Sequence, residues 1–214
     1  TGSKKITLIV EDANKCKDTT QSTVFVKAHP QASFNISATD SCLRGHTFSV
    51  NGQNSAAATS KLSKFIWSLD TGSLISVGNV NSFNNLKYRT IGGRTIRLII
   101  EDENGCYDTS YNKLNVLEHP TAVAVVNDKD QCVNQNVFEY KTTGTQAANN
   151  SRIQSYDWTF PSGANTSSSS NSTVSNVTYT NAGQYTTRLI VVDSNGCRDT
   201  QEISVMVREM PNPV

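Results

Sequence analysis

The chain reads Ile9-Val-Glu-Asp-Ala-Asn-Lys-Cys16-Lys-Asp-Thr19, then Ile99-Ile-Glu-Asp-Glu-Asn-Gly-Cys106-Tyr-Asp-Thr109, then Ile190-Val-Val-Asp-Ser-Asn-Gly-Cys197-Arg-Asp-Thr200. Three copies in register at a spacing of 90 or 91 residues define a tandem repeat, and a fixed period governs every further reading. The same shift superposes Gly2, Gly92 and Gly183, Trp67 and Trp158, Tyr88 and Tyr179, Cys42 and Cys132, and His29-Pro30 with His119-Pro120 and Met210-Pro211. The chain therefore divides into the end of one repeat (1–29), two complete repeats (30–119 and 120–211) and the start of a linker (212–214).

Around the quoted stretch the residues alternate in polarity. Ile96, Leu98 and Ile100 fall on one face and Thr95 and Arg97 on the other, and Tyr185, Thr187, Leu189 and Val191 repeat the pattern. A period of two is the mark of a half-buried strand. Asn104-Gly105 and Asn195-Gly196 stand between such strands and second ones at 114–117 and 203–207, where Asn-Gly predicts a tight reversal. Earlier strands are predicted at 32–37, 47–50, 65–69 and 86–88, with counterparts at 123–127, 137–141, 156–160 and 174–179. No segment carries a helical period with caps. Six or seven short strands in about 90 residues predict an all-β, immunoglobulin-like sandwich for each repeat. The short Pro120 passage predicts a stiff join and a rod of such domains.

Composition agrees. Ser, Thr and Asn make up 71 of 214 residues, which favours strands and turns. The net charge of +1 removes the electrostatic case for nucleic acid or an anionic membrane surface, and no apolar run approaches a membrane span. The polar stretch 165–175 is expected on an exposed edge or loop.

Five cysteines fit the period. Each complete repeat owns one near its second strand and one in its final turn, so the expected pairs are Cys42 with Cys106 and Cys132 with Cys197, leaving Cys16 unpaired in this fragment. Single cysteines 64 or 65 positions apart, with only three histidines in the chain, do not make a zinc set. Disulfides place the protein outside the cytosol.

Candidate sites are few. Trp67 and Trp158 lie in alternating strands and read as core. His29 and His119 share one linker position and read as packing or hydrogen-bonding groups, and His46 reads as a solvated loop residue. Asp102, Asn104 and Asp108, matched by Asp193, Asn195 and Asp199, surround the final hairpin; they suit turn caps, and also the oxygen set of a calcium ion. No other cofactor is expected. Tyr107, Tyr111 and Phe83 are the candidate exposed aromatics for ligand contact.

Trp67 and Trp158 early in each repeat, Tyr88-x-x-x-Gly92 and Tyr179-x-x-x-Gly183-Gln-Tyr185, the Asn-Gly-Cys-x-Asp-Thr turn and the Pro-marked linker together resemble PKD (polycystic kidney disease) domains. The Trp-Asp-Phe-Gly-Asp-Gly signature of that family is here Trp67-Ser-Leu-Asp-Thr-Gly72 and Trp158-Thr-Phe-Pro-Ser-Gly163. The cysteine-bearing version is similar to repeats of large Bacteroidetes surface proteins, including gliding-motility adhesins of the SprB type exported by type IX secretion. The resemblance implies a non-enzymatic extracellular module, a stiff spacer in an adhesin or filament whose partners are neighbouring repeats, other surface proteins or polysaccharide. The same domains also accompany secreted proteases and polysaccharide hydrolases, so a substrate-binding accessory module is the alternative.

Overall fold

The computed structural model describes residues 1–70 and 74–212. Thr71 and Gly72 of the first Trp-containing turn, and the last two residues of the 212–214 linker, lie outside the described residues. The elements are all strands: β1 (Gly2–Glu11), β2 (Lys17–Val26), β3 (Asn35–Ile36), β4 (Asp40–Cys42), β5 (Phe48–Asn51), β6 (Leu62–Leu69), β7 (Leu74–Gly78), β8 (Ser82–Leu86), β9 (Gly92–Asp102) and β10 (Tyr107–Leu117). The series then repeats as β11 (Val125–Val126), β12 (Asp130–Cys132), β13 (Phe138–Lys141), β14 (Ile153–Thr159), β15 (Ser168–Ser169), β16 (Thr173–Val177), β17 (Gly183–Asp193) and β18 (Arg198–Arg208).

The sheets repeat as the sequence does. A five-stranded sheet in the order β4-β10-β9-β6-β7 and a three-stranded one in the order β3-β5-β8 recur as β12-β18-β17-β14-β15 and β11-β13-β16. Each repeat is thus an immunoglobulin-like arrangement of two sheets. The chain groups into two compact units, residues 1–40, 47–87 and 92–115 in one and 41–46, 88–91 and 116–214 in the other. Every strand expected from alternation overlaps an observed one, although the one expected at 86–88 lies earlier, as β8, and shares only Leu86 with it; the hairpin strands run further than expected, to eleven residues each in β9, β10, β17 and β18. The strands β4, β7, β12 and β15 were not foreseen, β4 and β12 being short and polar. β12 pairs in parallel with the end of β18, Cys132 opposite Arg208, and two or three polar residues carry no periodic signal. Within 165–175, Ser168–Ser169 forms an edge strand on β14 and Thr173–Val177 a strand on β13.

In the first unit Phe34, Phe48, Val50, Trp67, Leu69, Ile96, Leu98, Ile100 and Leu114 are buried. Trp67 is fully enclosed, with Phe34 and Phe83 set edge-on to it at 5.2 and 6.1 Å and its Nε1–H donating to the Val80 carbonyl at 3.0 Å. A Cβ on Gly52 would come within 3.0 Å of Leu98 and 3.2 Å of this ring, so any larger residue there must push these core side chains aside. In the second unit Trp158 takes the equivalent place. Its Nε1–H donates to Asn171 O at 3.0 Å, and Tyr140 and Phe160 lie 5.8 and 6.2 Å from its ring. Tyr140 and Tyr179 share a buried hydroxyl contact of 3.1 Å, and burial pushes the Tyr140 phenol far above its ordinary value.

The β1-β2 hairpin forms a two-stranded sheet by itself. Ile6, Leu8 and Val10 are 53–57% exposed, whereas their equivalents Ile96, Leu98 and Ile100 are 0% exposed. The alternation that fills a core in a complete repeat here faces open space.

His46 corrects the sequence reading. It is buried, its Nδ1 lies 2.7 Å from Leu43 O, and its Nε2 accepts the Tyr88 N–H at 2.8 Å. One period on, Asn136 does the same work. Its amide donates to Val133 O at 2.7 Å and to Tyr179 O at 3.0 Å, and its oxygen accepts the Tyr179 N–H at 2.6 Å. A polar side chain at this position ties the loop after β4 or β12 to the equivalent tyrosine of the repeat, Tyr88 or Tyr179. Asn136→Ala orphans a buried N–H and should cost about 1–3 kcal/mol in denaturant unfolding, whereas Asn136→His should recover most of that loss.

Candidate functional site: a disulfide at the final hairpin

The site is built from the turn that the sequence repeats three times. In the last copy, strand pairing ends at Val192 opposite Arg198, and Asp193 to Cys197 form the loop. The Asp193 N–H donates to Cys197 O at 3.0 Å and the Gly196 N–H to Asp193 O at 2.9 Å. Asp193 is fully buried. Its Oδ1 accepts the N–H groups of Asn195 and Cys197 at 3.0 and 2.9 Å, and its Oδ2 accepts the Ser151 hydroxyl at 2.9 Å. Asp102 repeats this with the N–H groups of Asn104 and Cys106, both at 2.9 Å, and the Ser60 hydroxyl at 2.8 Å. The left-handed residue is the glycine, φ +76° at Gly105 and +78° at Gly196, and Lys15 fills it at φ +67° in the first copy. The reversal is therefore a five-residue loop folded around a buried carboxylate, not a two-residue turn of Asn-Gly.

The second acidic position has a different partner. Asp199 Oδ2 accepts the Ala122 N–H at 2.9 Å, and Asp108 Oδ2 accepts the Ala32 N–H at 2.8 Å. Asp199 Oδ1 also meets the Arg44 guanidinium at 2.5 Å. Burial raises the Asp199 carboxyl, but the Ala122 and Thr200 N–H groups and Arg44 outweigh it, so it is held below the usual carboxylate range. Asp102 is likewise held low, its burial outweighed by the Ser60 hydroxyl and the Cys106 and Asn104 N–H groups. A depressed folded-state value means that these groups stabilise the fold above the ordinary carboxylate range and lose that contribution as pH falls through their folded values. Thermal melts should hold steady from neutral pH to about 5 and fall steeply below about 4; a melting temperature rising on acidification would contradict this.

The structure corrects the cysteine pairing. Cys42 is bonded to Cys197, 155 positions along the chain and 5.5 Å away between Cα atoms, while Cys16, Cys106 and Cys132 are free thiols. The expected pair Cys132–Cys197 is impossible for a geometric reason. Cys132 lies opposite Arg208 at the far end of β18, and Cys197 lies just before its start. Eleven residues of strand separate the two by roughly 35 Å, against a Cα limit of about 7 Å for a disulfide. Cys42 and Cys106 hold the same positions relative to β10, since Leu43 N–H donates to Leu117 O at the strand's end and Cys106 precedes its start. The sequence period had matched the right positions and joined them within a copy instead of across copies.

The loop that carries Cys42 is held on several sides. Leu43 N–H reaches Leu117 O at 2.8 Å, His46 closes back onto Leu43 O, and Arg44 meets Asp199 two residues from each bonded cysteine. Cys197 is itself 0% exposed in its capped loop.

Of the remaining candidates, Tyr107 and Tyr111 are 71% and 61% exposed, and four residues apart on β10 they share one face. Phe83 is half-buried against Trp67 and is not an exposed contact residue. His29 and His119 each place Nδ1 2.8 and 2.9 Å from the carbonyl of the following proline. Among the described residues no three His, Cys, Asp or Glu side chains group as metal ligands, and no helix is long and apolar enough to cross a membrane.

Comparison with characterised proteins gives no sequence match. Among solved structures the chain is similar to the PKD1 domain of the Vibrio cholerae metalloprotease PrtV, at 18% identity and a TM-score of 0.35, covering 42% of this chain and 98% of that one. The PKD1 domain of Vibrio anguillarum Epp is similar at 20% identity and a TM-score of 0.35, covering 42% and 96%. A 1.5-MDa bacterial ice-binding adhesin is similar at 11% identity and a TM-score of 0.48, covering 96% of this chain and 73% of that one. The family model that matches is that of the PKD domain, over residues 118–207, which cover most of the second complete repeat.

Proposed function

We propose that this chain is a non-enzymatic extracellular repeat module, a disulfide-stabilised stiff spacer that projects the binding region of a large surface adhesin or filament and bears load along it. The observation that carries this reading is the Cys42–Cys197 bond, which staples a loop of one sequence repeat to the final hairpin of the next. Such a bond persists only in an oxidising compartment, and it closes a loop of chain that cannot be drawn out while the bond is intact. A gliding-motility adhesin exported by type IX secretion is the particular setting the sequence resemblance suggests. The test is protease shaving of intact cells that make the protein, with thiols blocked beforehand. The reading expects a released peptide pair linking Cys42 to Cys197; recovery of both cysteines as alkylated thiols from the cytosolic fraction would contradict it.

A second reading rests on Tyr107 and Tyr111, two large aromatics exposed on one face of a strand. Their repeat equivalents include Lys17 and Arg198, so the fold does not need them. As an accessory module, the chain would bind insoluble chitin, cellulose or collagen, and Tyr107→Ala would abolish that binding without altering stability. Equal retention of the variant and the parent protein would leave the spacer reading alone.

A further inference from the structure

The bond between Cys42 and Cys197 is one member of a series. Cys42 is the second-strand cysteine of its repeat and Cys197 the hairpin cysteine of the following repeat. By the same period Cys132 is the next second-strand cysteine, and Cys106 and Cys16 are earlier hairpin cysteines. We infer that Cys132, Cys106 and Cys16 are half-bridges, each awaiting the complementary cysteine of an adjacent repeat, so that consecutive repeats are concatenated by one disulfide per period. This deepens the spacer reading and rests on it.

Three observations beyond the thiols themselves support the partner's identity. Cys132 sits on β12 exposed, in the place on its sheet that Cys42 holds on β4, and Cys106 follows the same carboxylate-centred loop as Cys197. Asp199 uses one oxygen for a backbone N–H and the other for Arg44 of the preceding repeat; Asp108 uses one for the Ala32 N–H, and the other has no partner among the described residues. The exposed apolar face of β1-β2 has the residues of a core hairpin, and its fitting cover is a set of early strands of its own repeat, equivalent to β3–β8, whose second-strand cysteine would reach Cys106. Each bridge forms by two exchange steps with a small-molecule disulfide such as oxidised glutathione. One protein thiolate attacks it and releases a glutathione thiol; the second attacks the mixed disulfide and releases another. Two electrons pass from the protein thiols to the small disulfide, whose two halves leave carrying the two protons.

The test is a chain in which residues 1–211 are followed by a second copy of residues 30–211, refolded in a glutathione redox buffer and mapped without reduction. The expected map contains Cys42–Cys197 within each copy and, in addition, Cys132 of the first copy bonded to Cys106 of the second. In Cys132→Ser that Cys106 should return to full alkylation while both Cys42–Cys197 bonds persist. Alkylation of first-copy Cys132 with both Cys42–Cys197 bonds intact would overturn concatenation and leave the spacer reading standing. Loss of Cys42–Cys197 itself would overturn both.

Discussion

Pulled from its two ends, the oxidised chain should release roughly 500 Å less contour length than the same chain in reductant, because the 155 residues between Cys42 and Cys197 cannot extend at about 3.3–3.6 Å each. The shortfall should appear as one locked span. Bridges confined within each repeat would instead hide two separate spans of 64 and 65 residues, about 220 Å apiece, and would leave the passage between the repeats free to extend. Cys42→Ser should behave in air as the parent chain does in reductant. On the chain-entropy model a closed loop of this size stabilises the fold by about 5 kcal/mol, so the variant should also melt earlier. Equal extension in both redox states would remove the load-bearing role of the bond.

Trp158→Ala should give the largest loss among single core substitutions, about 3–5 kcal/mol. The ring is fully buried, holds Asn171 O through its Nε1–H, and is flanked by Tyr140 and Phe160. Removing it leaves a cavity in a core already rich in rigid aromatics, together with a carbonyl that has lost its donor. The unfolding transition of that unit should drop by roughly 15 °C or more. Tyr107→Ala is the contrasting control. It removes an exposed ring and should stay within about 0.5 kcal/mol of the parent protein. A similar cost for the two substitutions would contradict the assignment of Trp158 to the core.

Where side chains alternate in and out of a core, the sequence was a sufficient guide. Ile96, Leu98 and Ile100 announced β9, and the tryptophans announced the centre of each sandwich. β4 and β12 escaped because a three-residue polar strand that only lends its backbone to a neighbour leaves no pattern of buried side chains. His46 was misread because its role is a pair of backbone hydrogen bonds, a role shared with Asn136 despite their different chemistry. The carboxylates around the hairpin were located correctly, and the structure gives their oxygens to N–H groups, a serine hydroxyl and an arginine. The cysteine error is the most instructive. A period states which positions are equivalent, but a bond from one copy to itself and a bond from one copy to the next obey the same period. The length of β18, which carries Cys132 and Cys197 to opposite ends, is what separates the two cases.

Non-reducing peptide mapping of the oxidised chain, alkylated before digestion, addresses that distinction directly. The account predicts one linked pair, Cys42 with Cys197, and alkylated peptides for Cys16, Cys106 and Cys132. Linked pairs of Cys42 with Cys106 and of Cys132 with Cys197 would contradict it.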